Sequence, residues 1–382
     1  MAKSIPPAVQ FEYHRHEFEG YLGNVGQNRF EWEEYKMTIV RYARSWVAPI
    51  CALAFFAAPV SAQEFNFKLH HVLPAKATPQ TKMLEPWAKQ VEENSGGRVK
   101  IEIFPSMSLG GKPPELIQQA RDGVVDIIWT VNGYTPGVFP RTEVFELPFV
   151  FVNDPRAANL AMHEMFESDF KQEYQGVEVM FLHVHAGQAI QMVDKEVRKP
   201  SDLAGMKMRI PTRTGAWIIE ALGASPVGMP VPDLPQALSK KVVDGAFIPW
   251  EIIAPLKLQD QTKYDIEGHN KARFGTTTFQ VSMNKARWDS LPADIQKAFK
   301  DASGEDWWGK VGDIWRASDD AGIELAVAAG NEHITLTEVE TEAFRVATEP
   351  VVERWIKEVA EKGIDGAALV AKARELIAKH SK

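Results

Sequence analysis

Val242-Val243-Asp244-Gly245-Ala246-Phe247 echoes an earlier stretch of the chain, Val124-Val125-Asp126-Ile127. Each follows a helix pattern and feeds a segment that is nearly all apolar, as a strand buried on both faces must be; the first such segment runs from Val124 to Trp129. Reading outward from the first copy, Phe65–Val72 and Val99–Ile103 are strands, the second by strict alternation of Val99, Ile101 and Ile103 with Lys100 and Glu102. Between them Thr78–Glu93 is an amphipathic helix with Met83, Leu84, Trp87 and Val91 on one face, stopped by Ser95-Gly96-Gly97. Pro113-Pro114 opens another helix over Glu115–Arg121. Around the second copy, Lys207–Pro211 is a strand, Thr214–Leu222 a helix closed by Gly223, and Leu234–Ser239 a further helix. Two units with one grammar predict two similar α/β domains, not one continuous sheet. From Pro292 to Ser381 the pattern is strongly helical, and most of Trp288, Trp307, Trp308, Trp315 and Trp355 read as core.

The chain has 382 residues, 45% hydrophobic and 25% charged, with a net charge of −8. That is the composition of a soluble two-domain protein. The acidic balance argues against a nucleic-acid partner, which asks for an excess of Lys and Arg. From Met37 a short segment carrying Arg41 and Arg44 leads into an apolar run from Trp46 to Phe56, then small residues ending Val60-Ser61-Ala62-Gln63. A basic end, an apolar middle and a small-residue exit make a secretory signal peptide over 37–62, cleaved after Ala62. A buried hydrophobic helix is the alternative reading; the run is shorter than the about 20 residues that span a bilayer. Residues 1–36 precede that signal and read as a start assigned too early, with Met37 the initiator. The one cysteine, Cys51, falls inside the signal segment, so the exported chain has no thiol or disulfide chemistry and relies on core burial. The expected compartment is the periplasm.

Small ligands of such folds bind outside the carboxyl ends of strands or between domains. That directs attention to His71, to Thr130–Tyr134 with Val131 and Asn132, to His185–Gln188, to Arg209–Thr212, and to Ile248–Glu251.

Several segments resemble the solute receptors of tripartite ATP-independent periplasmic (TRAP) transporters of the DctP type. They are Ser95-Gly-Gly-Arg-Val-Lys-Ile-Glu-Ile-Phe-Pro, Ser108-Leu-Gly-Gly, Asp122-Gly-Val-Val-Asp, Phe145-Glu-Leu-Pro-Phe-Val-Phe, Asp202-Leu-Ala-Gly-Met-Lys-Met-Arg-Ile-Pro, Val242-Val-Asp-Gly and Trp288-Asp-Ser-Leu-Pro, in family order across about 63 to 380. The resemblance implies a periplasmic-binding-protein-like fold: two α/β domains joined by hinge strands, a long helix crossing both, and a ligand buried between them. It also implies a membrane permease as partner, a small organic carboxylate as ligand, and no cofactor. The expected division is 63–184 with 274–313 for domain I, and 185–273 with 314–382 for domain II.

Arg209 matches the carboxylate-binding arginine of that family. Its own setting agrees: it alternates with Met206 and Met208 at a strand end, ahead of Thr212 and Thr214 near a helix N-terminus. A guanidinium gives a carboxylate two parallel hydrogen bonds; a solvated arginine is the plain alternative. The departures narrow the ligand. Where many acid-binding members carry Asn-Pro, this chain has Ile248-Pro249, followed by Trp250-Glu251. Where sugar-acid receptors place another arginine, Gly187-Gln188-Ala189 offers an amide. An apolar wall leaves a second carboxylate or many hydroxyls unpaired at about 1–3 kcal/mol each. The expected ligand is therefore a monocarboxylate with an apolar or aromatic body, with or without a 2-oxo or 2-hydroxy group. His185, sharing a strand face with His183, either donates to the ligand or bonds backbone at the hinge. Trp250 is either a flat wall or hinge packing. Glu251 reads as the partner of a basic side chain, since it would repel an anion if it faced the pocket.

Three rivals were weighed. His70, His71, His183 and His185 could converge on a metal, but adjacent histidines on a strand point to opposite faces, and no His-Glu-x-x-His helix is present. A hydrolase lacks its Gly-x-Ser-x-Gly elbow. A receptor reporting to a sensor kinase would use the same closure, and only neighbouring genes separate it from a transport receptor.

Overall fold

The expected alternation of strands and helices resolves into two separate sheets in the computed structural model, which describes residues 63–381. The signal segment, the residues before it and Cys51 lie outside the described residues. The first lobe is laid down as β1 (Phe65–His71), α1 (Glu85–Asn94), β2 (Val99–Phe104), α2 (Leu116–Arg121), β3 (Ile127–Val131), α3 (Pro155–Met165) and β4 (Val177–Val184). The chain then builds the second lobe from β5 (Ala189–Met192), β6 (Lys207–Ile210), α4 (Arg213–Ala221), β7 (Ser225–Gly228), α5 (Leu234–Ser239), β8 (Gly245–Ile248), α6 (Ile253–Leu256) and β9 (Tyr264–Glu267). It returns as β10 (Thr278–Asn284), then runs through α7 (Lys285–Asp289), α8 (Ala293–Ala302), α9 (Glu305–Ala328), β11 (Glu332–Thr335), α10 (Glu338–Ala360) and α11 (Gly366–His380).

The first sheet has the order β2-β1-β3-β10-β4 and the second β11-β9-β5-β8-β6-β7. Each contains one strand running against its neighbours, β10 in the first and β5 in the second. Both follow directly on a crossing between sheets, at 185–188 and 268–277. The repeated Val-Val-Asp has a structural meaning at both places. Asp126 Oδ2 accepts the backbone N–H of Lys68 on β1 at 2.8 Å, and Asp244 Oδ2 accepts that of Lys207 on β6 at 2.7 Å. The aspartates thus tie the start of one parallel strand to its neighbour in each sheet. The strands themselves begin later than the apolar runs: Val124 is 63% exposed and Val242 46% exposed, and pairing starts at Ile127 and Gly245.

The tail is helical as expected, except that Glu332–Thr335 adds an edge strand beside β9. Its long helix, α9, is the element shared by both lobes. Asn159 of α3 donates to the carbonyl of Trp308 at 3.1 Å on the first-lobe side. On the other side Asp319 accepts the N–H of Trp250 at 2.9 Å. Gly322 allows the approach there, because a Cβ would fall 2.1 Å from the carbonyl oxygen of Trp250. α11 returns against α3 of the first lobe.

Candidate ligand-binding cleft

The two lobes meet across a cavity whose empty space, its open rim included, is about 430 Å³. It lies at the carboxyl ends of the strands, where the sequence directed attention. Val131 and Tyr134 come to it from the first lobe, and Arg209 and Ile248 from the second, with His185 and Gln188 from the crossing between them.

Arg209 is the charged centre. Buried to 2% exposure on β6, it donates from Nε to the carbonyl of Met229 at 3.2 Å and from Nη1 to that of Phe247 at 3.3 Å. Nη2 has no partner among the described residues, and none of their carboxylates forms an ion pair with this guanidinium. Burial pushes its pKa down, while Tyr134 and Asp233 pull it the other way; an arginine stays charged all the same. The other deeply placed arginines differ. Arg213 pairs with Glu143 and Glu358, and Arg273 with Glu267 and Asp319. Tyr134 reaches across the cleft, its hydroxyl oxygen accepting the N–H of Val231 at 2.9 Å, so its own proton remains to be donated. Burial raises its pKa and keeps that proton in place.

Gln188 adds a second donor. His185 Nδ1 accepts the N–H of Gly187 at 2.9 Å, and burial holds the ring neutral by driving its pKa well down. Its proton therefore sits on Nε2, which faces the Gln188 amide at 3.2 Å. The amide nitrogen stands there and donates to the Thr277 hydroxyl at 2.8 Å; turning the amide over puts its oxygen there instead, where it accepts from Nε2–H and from that hydroxyl. In that orientation the end with no partner among the described residues is the NH₂, a donor.

The walls are aromatic. Trp129 on β3 and Phe279 on β10 are nearly parallel, with centroids 5.3 Å apart and planes at 3°. Trp315 of α9 lies 5.7 Å from Phe279 at 25°. All three line the cavity. Sequence reasoning missed them: Trp129 and Phe279 sit within apolar strands, and Trp315 was grouped with the core tryptophans. The alternation of Phe279 with buried Gln280 and Ser282 on β10 was the one available signal.

Four expected site residues lie off the cavity. His71 is turned behind the wall, its Nε2 bonded to Gln80 at 3.0 Å and its ring edge-on to Trp129; the next two residues, Val72 and Leu73, reach the cavity instead. Asn132 is fully used in a buried network, accepting from Gln280 at 2.8 Å and donating to Tyr174 and Thr278. Thr212 caps α4 by accepting the N–H of Gly215 at 3.1 Å, so its hydroxyl is spent on the helix end. Trp250 packs edge-to-face on His333, 4.9 Å away, which is the hinge-packing alternative. Glu251 is also corrected: it lines the cavity, forms no ion pair among the described residues, and its Oε2 has no partner. The four histidines do not converge; His70 bonds Gln119, and His183 takes the indole N–H of Trp129 at 2.8 Å.

Residues 69–358 match the model of the bacterial extracellular solute-binding protein family 7, DctP. A marine-metagenome TRAP solute-binding protein specific for aromatic acid ligands, solved with 3-hydroxybenzoate, is 39% identical with a TM-score of 0.82, covering 84% of this chain and 100% of that one. One from Rhodoferax ferrireducens, solved with copurified benzoate, is 38% identical with a TM-score of 0.80, covering 83% and 98%. An uncharacterised protein of Haemophilus influenzae is 30% identical over 55% of this chain and 63% of its own length. The chain belongs to family 7 of the bacterial extracellular solute-binding proteins, the solute receptors of TRAP transporters.

Proposed function

We propose that this receptor captures an aromatic monocarboxylate in the cleft and delivers it to a membrane permease from the periplasm. The observation that carries the reading is Arg209, a buried guanidinium with an unused N–H and no anionic partner among the described residues. Burying an unpaired ion costs several kcal/mol, and a ligand carboxylate removes that cost. Nη2 of Arg209, the hydroxyl of Tyr134 and the amide NH₂ of Gln188 would share its two oxygens. The near-parallel rings of Trp129, Phe279 and Trp315 suit a flat aromatic body, and offset stacking contributes about 0.5–1.5 kcal/mol per pair beyond burial. The aromatic acids held by the two solved relatives support the same chemistry. Arg209 and Tyr134 belong to opposite lobes, so a ligand touching both is bound fully only when the lobes meet, and that difference drives closure. No bond is made or broken.

Calorimetric titration of the protein and of Arg209→Met with benzoate tests the assignment. Loss of a buried charge partner costs about 2–5 kcal/mol, so affinity should fall by at least about thirtyfold. Binding by the variant at wild-type strength would remove Arg209 from the site.

A further inference from the structure

Among the described residues, Glu251 is the one carboxyl that lines the cavity. It is 6% exposed, and Oε2 meets no donor among the described residues. The cations beside it already face other carboxylates. Arg273 is shared by Glu267 and Asp319, and Arg316 approaches Asp319 at 3.8 Å. Nε of Arg273 and Nη1 of Arg316 keep no hydrogen-bond partner among the described residues, yet Glu251 forms no ion pair with either and faces Asp319. Burial, and after it the Asp319 charge, push the Glu251 pKa well above the ordinary carboxylate range. Glu251 therefore enters the cavity carrying its proton, able both to donate and to accept.

Position separates it from the arginine. Arg209 is on β6, to one side of β8, and bonds the ends of β7 and β8. Arg273, whose charge acts on Glu251, and its partner Glu267 on β9 belong to the other side, beyond β5. Trp315 stands on the Glu251 side: it is one helical turn before Asp319, which holds the N–H of Trp250. Its indole N–H also has no partner among the described residues. We propose that Glu251, with the indole N–H of Trp315, hydrogen-bonds a ring hydroxyl on the ligand remote from its carboxylate, so that the receptor selects hydroxylated aromatic acids over the parent acid.

This rests on the aromatic-acid reading of the cleft. The probes are benzoate, 3-hydroxybenzoate, 4-hydroxybenzoate and isophthalate, titrated into the wild type, Glu251→Gln and Glu251→Leu. In the wild type the better hydroxybenzoate should exceed benzoate by about tenfold or more, the effect of one satisfied buried hydroxyl. Gln keeps a neutral donor and acceptor of the same shape, and the preference should survive within about threefold. Leu offers neither, and the ratio should fall to about one. Thermal melts of both variants establish that they are folded. A ratio unchanged in Glu251→Leu, or a wild type that prefers benzoate, overturns the proposal while leaving the aromatic-acid site standing; a preference for isophthalate overturns it together with the single-carboxylate reading. Silence of the wild type toward all four probes overturns that site as well.

Discussion

Buried arginines in this molecule fall into two kinds, and the difference predicts how each responds to removal. Arg273 is fully buried between Glu267 and Asp319. Arg273→Met would strand two carboxylates in the interior, a loss of about 3–5 kcal/mol, and thermal unfolding should show it. Arg209 has no such partner, so Arg209→Met removes an uncompensated charge; the ligand-free variant should melt no lower than the wild type. A lower melting temperature would mean that its hydrogen bonds to Met229 and Phe247, or a structural anion, outweigh the relief of the buried charge. Neither kind can be recognised from an arginine alone. Arg209 stood out because Met206-Lys-Met-Arg-Ile-Pro matched a family pattern, whereas Trp129, Trp315 and Phe279 were illegible: a ring that lines a cavity on one face and packs on the other has the same sequence signature as plain core. Glu251 was misread for a related reason. Its charge was assumed, and burial beside Asp319 removes it.

Among the elements, the loop after β3 and the start of α4 carry the contact between lobes. A Cβ on Gly133 would lie 2.2 Å from Thr212 Cγ2 and 2.7 Å from its Cβ. Gly133→Ala should therefore hold the lobes apart, weakening ligand binding about tenfold or more while leaving the ligand-free melting temperature unchanged; undiminished affinity would show that the loop yields. Nearby, Glu146 joins the lobes by accepting from Thr214 at 2.7 Å and from the N–H of Thr278 at 2.9 Å. Burial, then the neighbouring Glu143, raise its pKa from 4.5 to about 7. An acid that holds its proton more tightly when folded contributes stability that is complete below about pH 4.5 and disappears as the pH rises through about 7. The contribution is on the order of 3 kcal/mol. Glu173, raised to about 7, and Asp265, raised to about 6, act in the same direction. Glu146→Gln should melt higher than wild type at pH 8 and show a shallower fall between pH 5 and 8; an identical pH profile would contradict the assignment. Element order and periodicity were legible in the sequence, since buried strands and amphipathic helices differ in pattern. The starts of β3 and β8 were not, because Asp126 and Asp244 spend their side chains on a neighbouring strand and delay the pairing.

At the scale of the whole molecule, two sheets with a single reversed strand each, spanned by one 24-residue helix, put the arginine and the aromatic wall on different lobes' surfaces and let one ligand join them. The repeated Val-Val-Asp made the two-lobe plan readable, but the cavity's chemistry depends on α9, which the sequence places far from every strand it completes. The central claim is that this cleft takes a single carboxylate on an aromatic body. Calorimetric titration of the protein with benzoate, 3-hydroxybenzoate, succinate and glucuronate measures it directly. The aromatic acids should bind one-to-one and the other two at least about a hundredfold more weakly, since unpaired polar groups in an apolar wall cost about 1–3 kcal/mol each. Tighter binding of succinate or glucuronate would contradict it.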